Sequence, residues 1–201
     1  MGYGRGNKDI QAIRIAAALA YISICEMDRI SIYIIHNNRV EELASMLGKE
    51  AFLNNINKLN DITFEGEVDI SEAIRSSTVG YGDGLSVIIS DFLTDNDYLA
   101  ALDHLVGKKR DVLCVQVLSA EELNTKARGK VHYYDSESSA KFYRRNINKD
   151  IVQAYAQALE YVTGNLRNAC HSRGAQYALV SADDTLFQVF FEKFMTSGVI
   201  K

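Results

Sequence analysis

Proline is missing from all 201 residues, where an average chain of this length has about ten. The absence removes the usual linker punctuation, so nothing marks a boundary and the chain reads as one domain over residues 1–201. Cysteine is scarce and unpatterned. Cys25, Cys114 and Cys170 are an odd number without CxxC or CxxxC spacing, which gives no disulfide framework. Each lies in an apolar helix or strand pattern, so all three are expected to be buried free thiols of a reducing, cytoplasmic compartment. Long apolar runs are missing too. Residues 13–24 come closest, but Arg14 interrupts their start and they fall short of the ~18 residues a membrane helix needs, so no membrane segment is expected. No basic and then apolar leader precedes a small-residue cleavage site. Finally, there is no surplus of basic charge: 22 Lys and Arg stand against 26 Asp and Glu, a net −4. A nucleic-acid partner would need a basic face, and the short runs Lys108-Lys109-Arg110 and Arg144-Arg145 read as solvated surface.

What is present is an ordinary globular composition, 47% hydrophobic and 24% charged, with enough apolar material for a full core. Apolar positions Ile10, Ile13, Ala17, Ala20 and Ile24 predict a long helix from about residue 8 to 27. Ile30, Ile32, Ile34 and Ile35 predict a buried strand over 29–36. Residues 40–47 and 49–59 read as two helical pieces split by Gly48. Asp69, with Glu72 three residues on, predicts a capped helix start. Residues 85–89 and 111–118 read as buried strands separated by a helix over 97–108. Residues 130–134 and 140–143 flank Asp135-Ser136-Glu137-Ser138 as a hairpin. A long helix over 149–173, a strand over 176–181 and a helix over 186–195 complete the chain. Strands alternating with helices predict a parallel sheet covered on both faces. Sites in such sheets lie at the carboxyl ends of strands, which selects the loop after His36, the Ser90-Asp91 tip and residues 181–184.

Asp91 is the most informative of these positions. A carboxylate at a strand's carboxyl end either ligates a hard cation or orients a nucleophile, or else it caps the turn before the next helix. Asp91, Asp95 and Asp97 lack the spacing of a calcium loop and read as acids beside a helix N-terminus. Gly2-Tyr3-Gly4-Arg5-Gly6 and Gly80-Tyr81-Gly82-Asp83-Gly84 lack the order of a phosphate cradle and read as flexible loops. His36, His104, His132 and His171 are scattered, without metal-ligand spacing. No Ser-His-Asp or Cys-His set is visible. The aromatic stretch Tyr133-Tyr134 to Phe142-Tyr143 reads as a strand pair rather than a base-stacking platform.

The run Val87-Ile88-Ile89-Ser90-Asp91-Phe92 resembles the signature of the bacterial domain-of-unknown-function 58 family, whose members are von Willebrand factor A-like. Further stretches agree in order. Lys8, then Ala16-Ala17-Ala18-Leu19-Ala20-Tyr21, then Asp28-Arg29 is similar to the family's first helix and the strand after it. Residues Val115 to Leu123, with Ser119, Glu121 and Glu122, resemble its strand-then-"SxEE" segment. Gly129 with Asp135-Ser136-Glu137, and Cys170, Gly174, Tyr177 and Leu179-Val180-Ser181, resemble its hairpin and its closing helix and strand.

The resemblance implies a three-layer α/β/α von Willebrand factor A-like (Rossmann-like) parallel sheet with a small β-hairpin. It also implies a metal-ion-dependent adhesion site, built from D-x-S-x-S, a threonine in a second loop and an aspartate in a third, whose oxygens suit Mg²⁺. In that correspondence Asp91 is the third-loop aspartate and Gly66 to Ile70 is the threonine loop, with Val68 where the threonine is expected. The D-x-S-x-S would fall before Met1. The chain is therefore expected to be N-terminally truncated, to lack its first central strand, to bind Mg²⁺ weakly or not at all, and to be prone to homodimerise through unpaired edges. The function implied is a protein-interaction module rather than an enzyme. Asp91 is its residual metal or partner contact, Ser90, Asp69 and Val68 lie beside it, and the partner is a protein such as a MoxR-type ATPase. The competing reading is a Rossmann-like enzyme acting on a nucleotide or phosphate ester.

Overall fold

A computed structural model of the chain describes residues 7–36, 38–64, 68–77, 79–94, 97–124, 129–134, 142–147 and 149–195; for 129–134, 142–147 and 149 it describes the backbone course alone. The centre is a parallel sheet in the order β3 (Leu85–Ser90), β4 (Asp111–Leu118), β7 (Gln176–Ser181). Every residue of β4 after Asp111 is buried, as expected of a central strand covered on both faces. Its side chains alternate between two cores. Val112 and Cys114 meet Leu102 and Leu105 of α4 (Leu99–Gly107) and Leu166 and Cys170 of α6 (Lys149–Ser172). Leu113, Val115 and Val117 meet Ile15 of α1 (Lys8–Cys25) and Val189, Phe190 and Phe194 near the C-terminus. The layering is thus helix, sheet, helix, a Rossmann-like α/β arrangement. The expected strands over 85–89, 111–118 and 176–181 are present in it.

The stretch 30–46 corrects the sequence reading. Ile30–His36 is a strand, β1, but it lies outside the parallel sheet. It pairs antiparallel with β2 (Arg39–Met46), where a helix was expected over 40–47. Val40, Leu43, Ala44 and Leu47 fall at helical spacing because one residue, Leu43, is inserted opposite the Ile32–Tyr33 step and breaks the period of two. Nor is β1 fully buried. Ser31, Tyr33 and His36 are exposed, Ala44 and Met46 of the hairpin lie against Ala20 and Ile24 of α1 with Ile30 and Ile32 beside them, and Ile35 packs against the core that holds Ile70, Ile74 and Leu102. Helix α1 therefore touches two separate cores. Its Ile15 serves the parallel sheet and its last two turns serve the hairpin.

The remaining elements are short. Helix α2 (Gly48–Asn55) runs into a 3₁₀ turn (Ile56–Asp61). Helix α3 (Ile70–Ser76) begins at Asp69, whose side chain accepts from the Glu72 amide as expected. Helix α5 (Ala120–Leu123) is opened by a reciprocal Ser119/Glu122 capping box. Strands β5 (Gly129–Tyr134) and β6 (Phe142–Ile147) form the expected antiparallel hairpin; its turn, 135–141, lies outside the described residues. The last helix is a π-helix (Gln188–Phe194). It places Phe190 and Phe194 in the core and leaves Phe187 and Phe191 stacked on the surface, 4.8 Å between ring centres.

The glycine loop before β3 has a specific organiser. The Arg110 guanidinium donates to the carbonyls of Gly82, Asp83 and Leu85. Gly84 has φ +141°, a conformation strained for any residue with a side chain, and a Cβ there would also displace the guanidinium, 2.5 Å away. Gly2 to Gly6 lie outside the described residues.

Two of the three thiols are as expected and one is not. Cys114 and Cys170 are buried, whereas Cys25, at the end of α1, is exposed. The contact with Cys170 and burial together push the Cys114 thiol up, away from the reactive thiolate. A native thiol titration with a chromogenic disulfide should therefore read one fast equivalent of the three, and Cys25→Ser should remove it. A second fast equivalent in the folded protein would contradict this packing.

Candidate functional site

The carboxyl ends of the three parallel strands converge on the first turn of α1. Asp91 follows β3, the Ser119 capping box follows β4, and Asp184 lies just after β7. Lys8 reaches the first two. Its Nζ lies 3.0 Å from Asp91 Oδ2 and 2.8 Å from Glu122 Oε1. Three residues on, Gln11 donates from Nε2 to the Asp184 carbonyl at 2.8 Å. A single helical turn thus ties the exits of all three strands together.

Both carboxylates around Lys8 are oriented from behind. Glu122 Oε2 accepts from the Ser119 amide at 2.7 Å, the reciprocal half of the capping box. The main chain of Asp91 is fixed by Gln116, a fully buried residue of β4, whose Nε2 donates to the Asp91 carbonyl at 2.7 Å. Gln116 Oε1 in turn accepts from the Tyr177 hydroxyl of β7 at 2.7 Å. A polar relay therefore crosses the sheet from β7 through β4 to the tip of β3. The next residue, Phe92, is buried with φ +51°, a left-handed conformation rare for a bulky side chain. It stands edge-on to Tyr98. The tip is thus anchored both by the relay and by an aromatic plug.

Side-chain exposure around Lys8 is 12% for the lysine, 19% for Asp91 and 25% for Glu122. Burial alone lowers an ammonium pKa, but the hydrogen bond to Glu122 and the charges of Asp91 and Glu122 outweigh it, and the Lys8 pKa is raised above 10.5. The lysine is charged throughout the physiological range.

Ser90 accepts from the Phe92 amide through its hydroxyl, an internal turn contact. Val68 and Asp69 stand at the start of α3. There Asn38, at the tip of the β1–β2 hairpin, accepts from the Asp69 amide and donates to Glu72. Asp69 also lines an open cleft of about 500 Å³ with Ser71, Glu72, Arg75, Asp97 and Ala100. Among the described residues, no hydrogen bond or ion pair joins Ser90 or Asp91 to Val68 or Asp69. Asp97, two residues before α4, accepts from the Leu99 amide; Asp95, Gly66 and Glu67 lie outside the described residues.

The Mg²⁺ implied by the resemblance can be tested against these donors, and they do not fit it. Val68 offers no oxygen, Asp69 and Ser90 are engaged by backbone amides, and the carboxylate of Asp91 is held by an ammonium group. Among the described residues, no group of three or more His, Cys, Asp or Glu side chains is placed to hold a metal ion.

Sequence reasoning named Asp91 and Ser90 but not their partners. Gln116 carried a legible signal, as the one amide in an otherwise apolar strand. Ser119 and Glu122 carried the spacing of a capping box. Lys8 carried none, because its partners lie 83 and 114 residues away.

The chain belongs to the family described as protein of unknown function DUF58, whose model matches residues 1–162. No curated protein matches it. It is similar to two solved structures. One is an aerotolerance-related membrane protein from Bacteroides fragilis, with multiple mutations to serines, at 14% identity and a TM-score of 0.40, covering 78% of this chain and 88% of that one. The other is an uncharacterized membrane spanning protein from Vibrio fischeri, at 10% identity and a TM-score of 0.24, covering 94% and 85%. Among the described residues of this chain, no helix is long and apolar enough to cross a membrane.

Proposed function

We propose that this chain is a von Willebrand factor A-like protein-interaction module without catalytic activity of its own. It works with a MoxR-type ATPase in the assembly or maturation of other proteins, and the metal-dependent adhesion site of its relatives is degenerate here. The observation that carries this reading is the placement of Asp91. It stands at the carboxyl end of a parallel strand, held by the Gln116 relay and the Phe92 plug, in a chain of this family. Carboxyl ends of such strands are where α/β sheets present ligand contacts. The exposed Phe187–Phe191 stack, with 64% and 58% of these residues accessible, adds an apolar surface of the kind that marks interaction sites.

The test is biolayer interferometry of the chain against an immobilised MoxR-type ATPase from the same organism, with ATP and with chelator present. Micromolar binding is expected. Asp91→Ala, checked for folding by circular dichroism, should weaken it at least about tenfold, equivalent to about 1.4 kcal/mol. Binding that Asp91→Ala leaves unchanged would remove the sheet's carboxyl end from the interface. Turnover of a nucleotide or phosphate ester by the chain alone would support the enzyme reading instead.

A further inference from the structure

We infer that Lys8 is the resident cation of this site: its ammonium group stands between Asp91 and Glu122 where a divalent ion would have to sit, so the centre is a metal-independent ammonium–carboxylate triad. The inference deepens the reading of the site as a degenerate adhesion centre and rests on it only in concerning the same residues. Metal titration and partner titration read different things, so the two can fail separately.

The geometry is specific. Asp91 Oδ2 and Glu122 Oε1 face each other across one nitrogen atom, at 3.0 and 2.8 Å. These are hydrogen-bond lengths, whereas Mg²⁺ would draw each oxygen to about 2.1 Å in a near-octahedral shell. Neither carboxylate is free to swing inward. Glu122 is held through its second oxygen by the Ser119 amide, and Asp91 Oδ1 faces the Leu93 amide at 3.4 Å. A metal ion would also meet the positive charge of Lys8 within contact distance, in a part-buried place where charges are weakly screened. Lys8 cannot easily withdraw, because it sits in the first turn of a helix whose next turn buries Gln11, Ala12 and Ile15. Loss of the lysine would leave two preset carboxylates with no counter-charge, which is the starting condition for a divalent site.

The experiment is calorimetric titration of MgCl₂ and MnCl₂ into the full 201-residue chain, with Mn²⁺ paramagnetic resonance as a second readout. The wild type should show no saturable binding at millimolar metal. Lys8→Met should acquire a Mn²⁺ site with a Kd of about 10⁻⁴ to 10⁻³ M, the range of weak oxygen-ligand sites, and adding Asp91→Asn should abolish it. Lys8→Arg keeps the charge and should stay metal-free. Two results overturn the inference: a folded Lys8→Met variant that binds Mn²⁺ no better than the wild type, or a wild type that binds either metal more tightly than about 10⁻⁴ M with Asp91→Asn removing the site. The wild-type measurement stands even if Lys8→Met does not fold.

Discussion

Replacing Phe92 by alanine is expected to lower stability by about 3–5 kcal/mol, the range for deleting a buried aromatic side chain. Phe92 is 1% exposed. It belongs to the core shared by Ile88, Leu102, Leu105 and Cys170, and it meets Tyr98 edge-on with ring centres 6.0 Å apart. Urea unfolding should show a lower midpoint with an unchanged slope. The backbone adds a second, opposite effect. At φ +51° a residue with a Cβ is strained and glycine is not, so Phe92→Gly should be as stable as Phe92→Ala or more stable by up to about 1 kcal/mol. A loss below about 1.5 kcal/mol for the alanine variant would mean that the plug is not packed as described. A glycine variant clearly weaker than the alanine one would mean that the left-handed turn is absent.

Gln116→Leu should cost about 3 kcal/mol without opening a cavity, since the two side chains are similar in size. The cost lies in the polar groups left behind. The Tyr177 hydroxyl loses its acceptor and the Asp91 carbonyl loses its donor, and each unsatisfied buried group costs about 1–3 kcal/mol. Tyr177→Phe alone leaves one orphan, on Gln116. The double variant leaves only the carbonyl, so it should be less destabilised than the sum of the singles; simple additivity would show that the relay is not connected. The same pair sets an alkaline limit. Burial pushes the Tyr177 phenol up to about 12, with the Arg167 guanidinium over its ring pulling the other way. An unfolded tyrosine ionises near 10. Between those values the folded state holds a proton that the unfolded state gives up, so stability falls as pH rises across the interval. The raised pKa of Lys8 acts in the same direction above pH 10.5. Tyr177→Phe should flatten the Tyr177 part of this alkaline decline.

The parallel sheet was legible because its strands carry continuous apolar runs such as Val87-Ile88-Ile89 and Val112 to Val115, and its central strand is buried on both faces. The helices packed on it were legible for the matching reason of helical spacing. The β1–β2 hairpin was not. Its partner strand is half-polar, with Glu41 and Glu42 outward, and the inserted Leu43 gives Val40, Leu43 and Ala44 the spacing of a helix face. Pairing with β1 decided the outcome, and pairing is not a local property. The candidate site was half legible for a similar reason. Asp91 declared itself by following an apolar strand, and Glu122 by its distance from Ser119. That Lys8 joins them follows only from how α1 crosses the sheet, which no window of sequence contains.

Residues 8, 91 and 122 meet through contacts that span most of the chain, and this makes the centre a certificate of completed folding. A nascent chain halted before β4 lacks Glu122, and a molecule whose first helix has come away lacks Lys8 at the centre, because no two of the three charged groups are neighbours in sequence. The assembled charge centre is therefore a property of the folded chain and of no single segment of it.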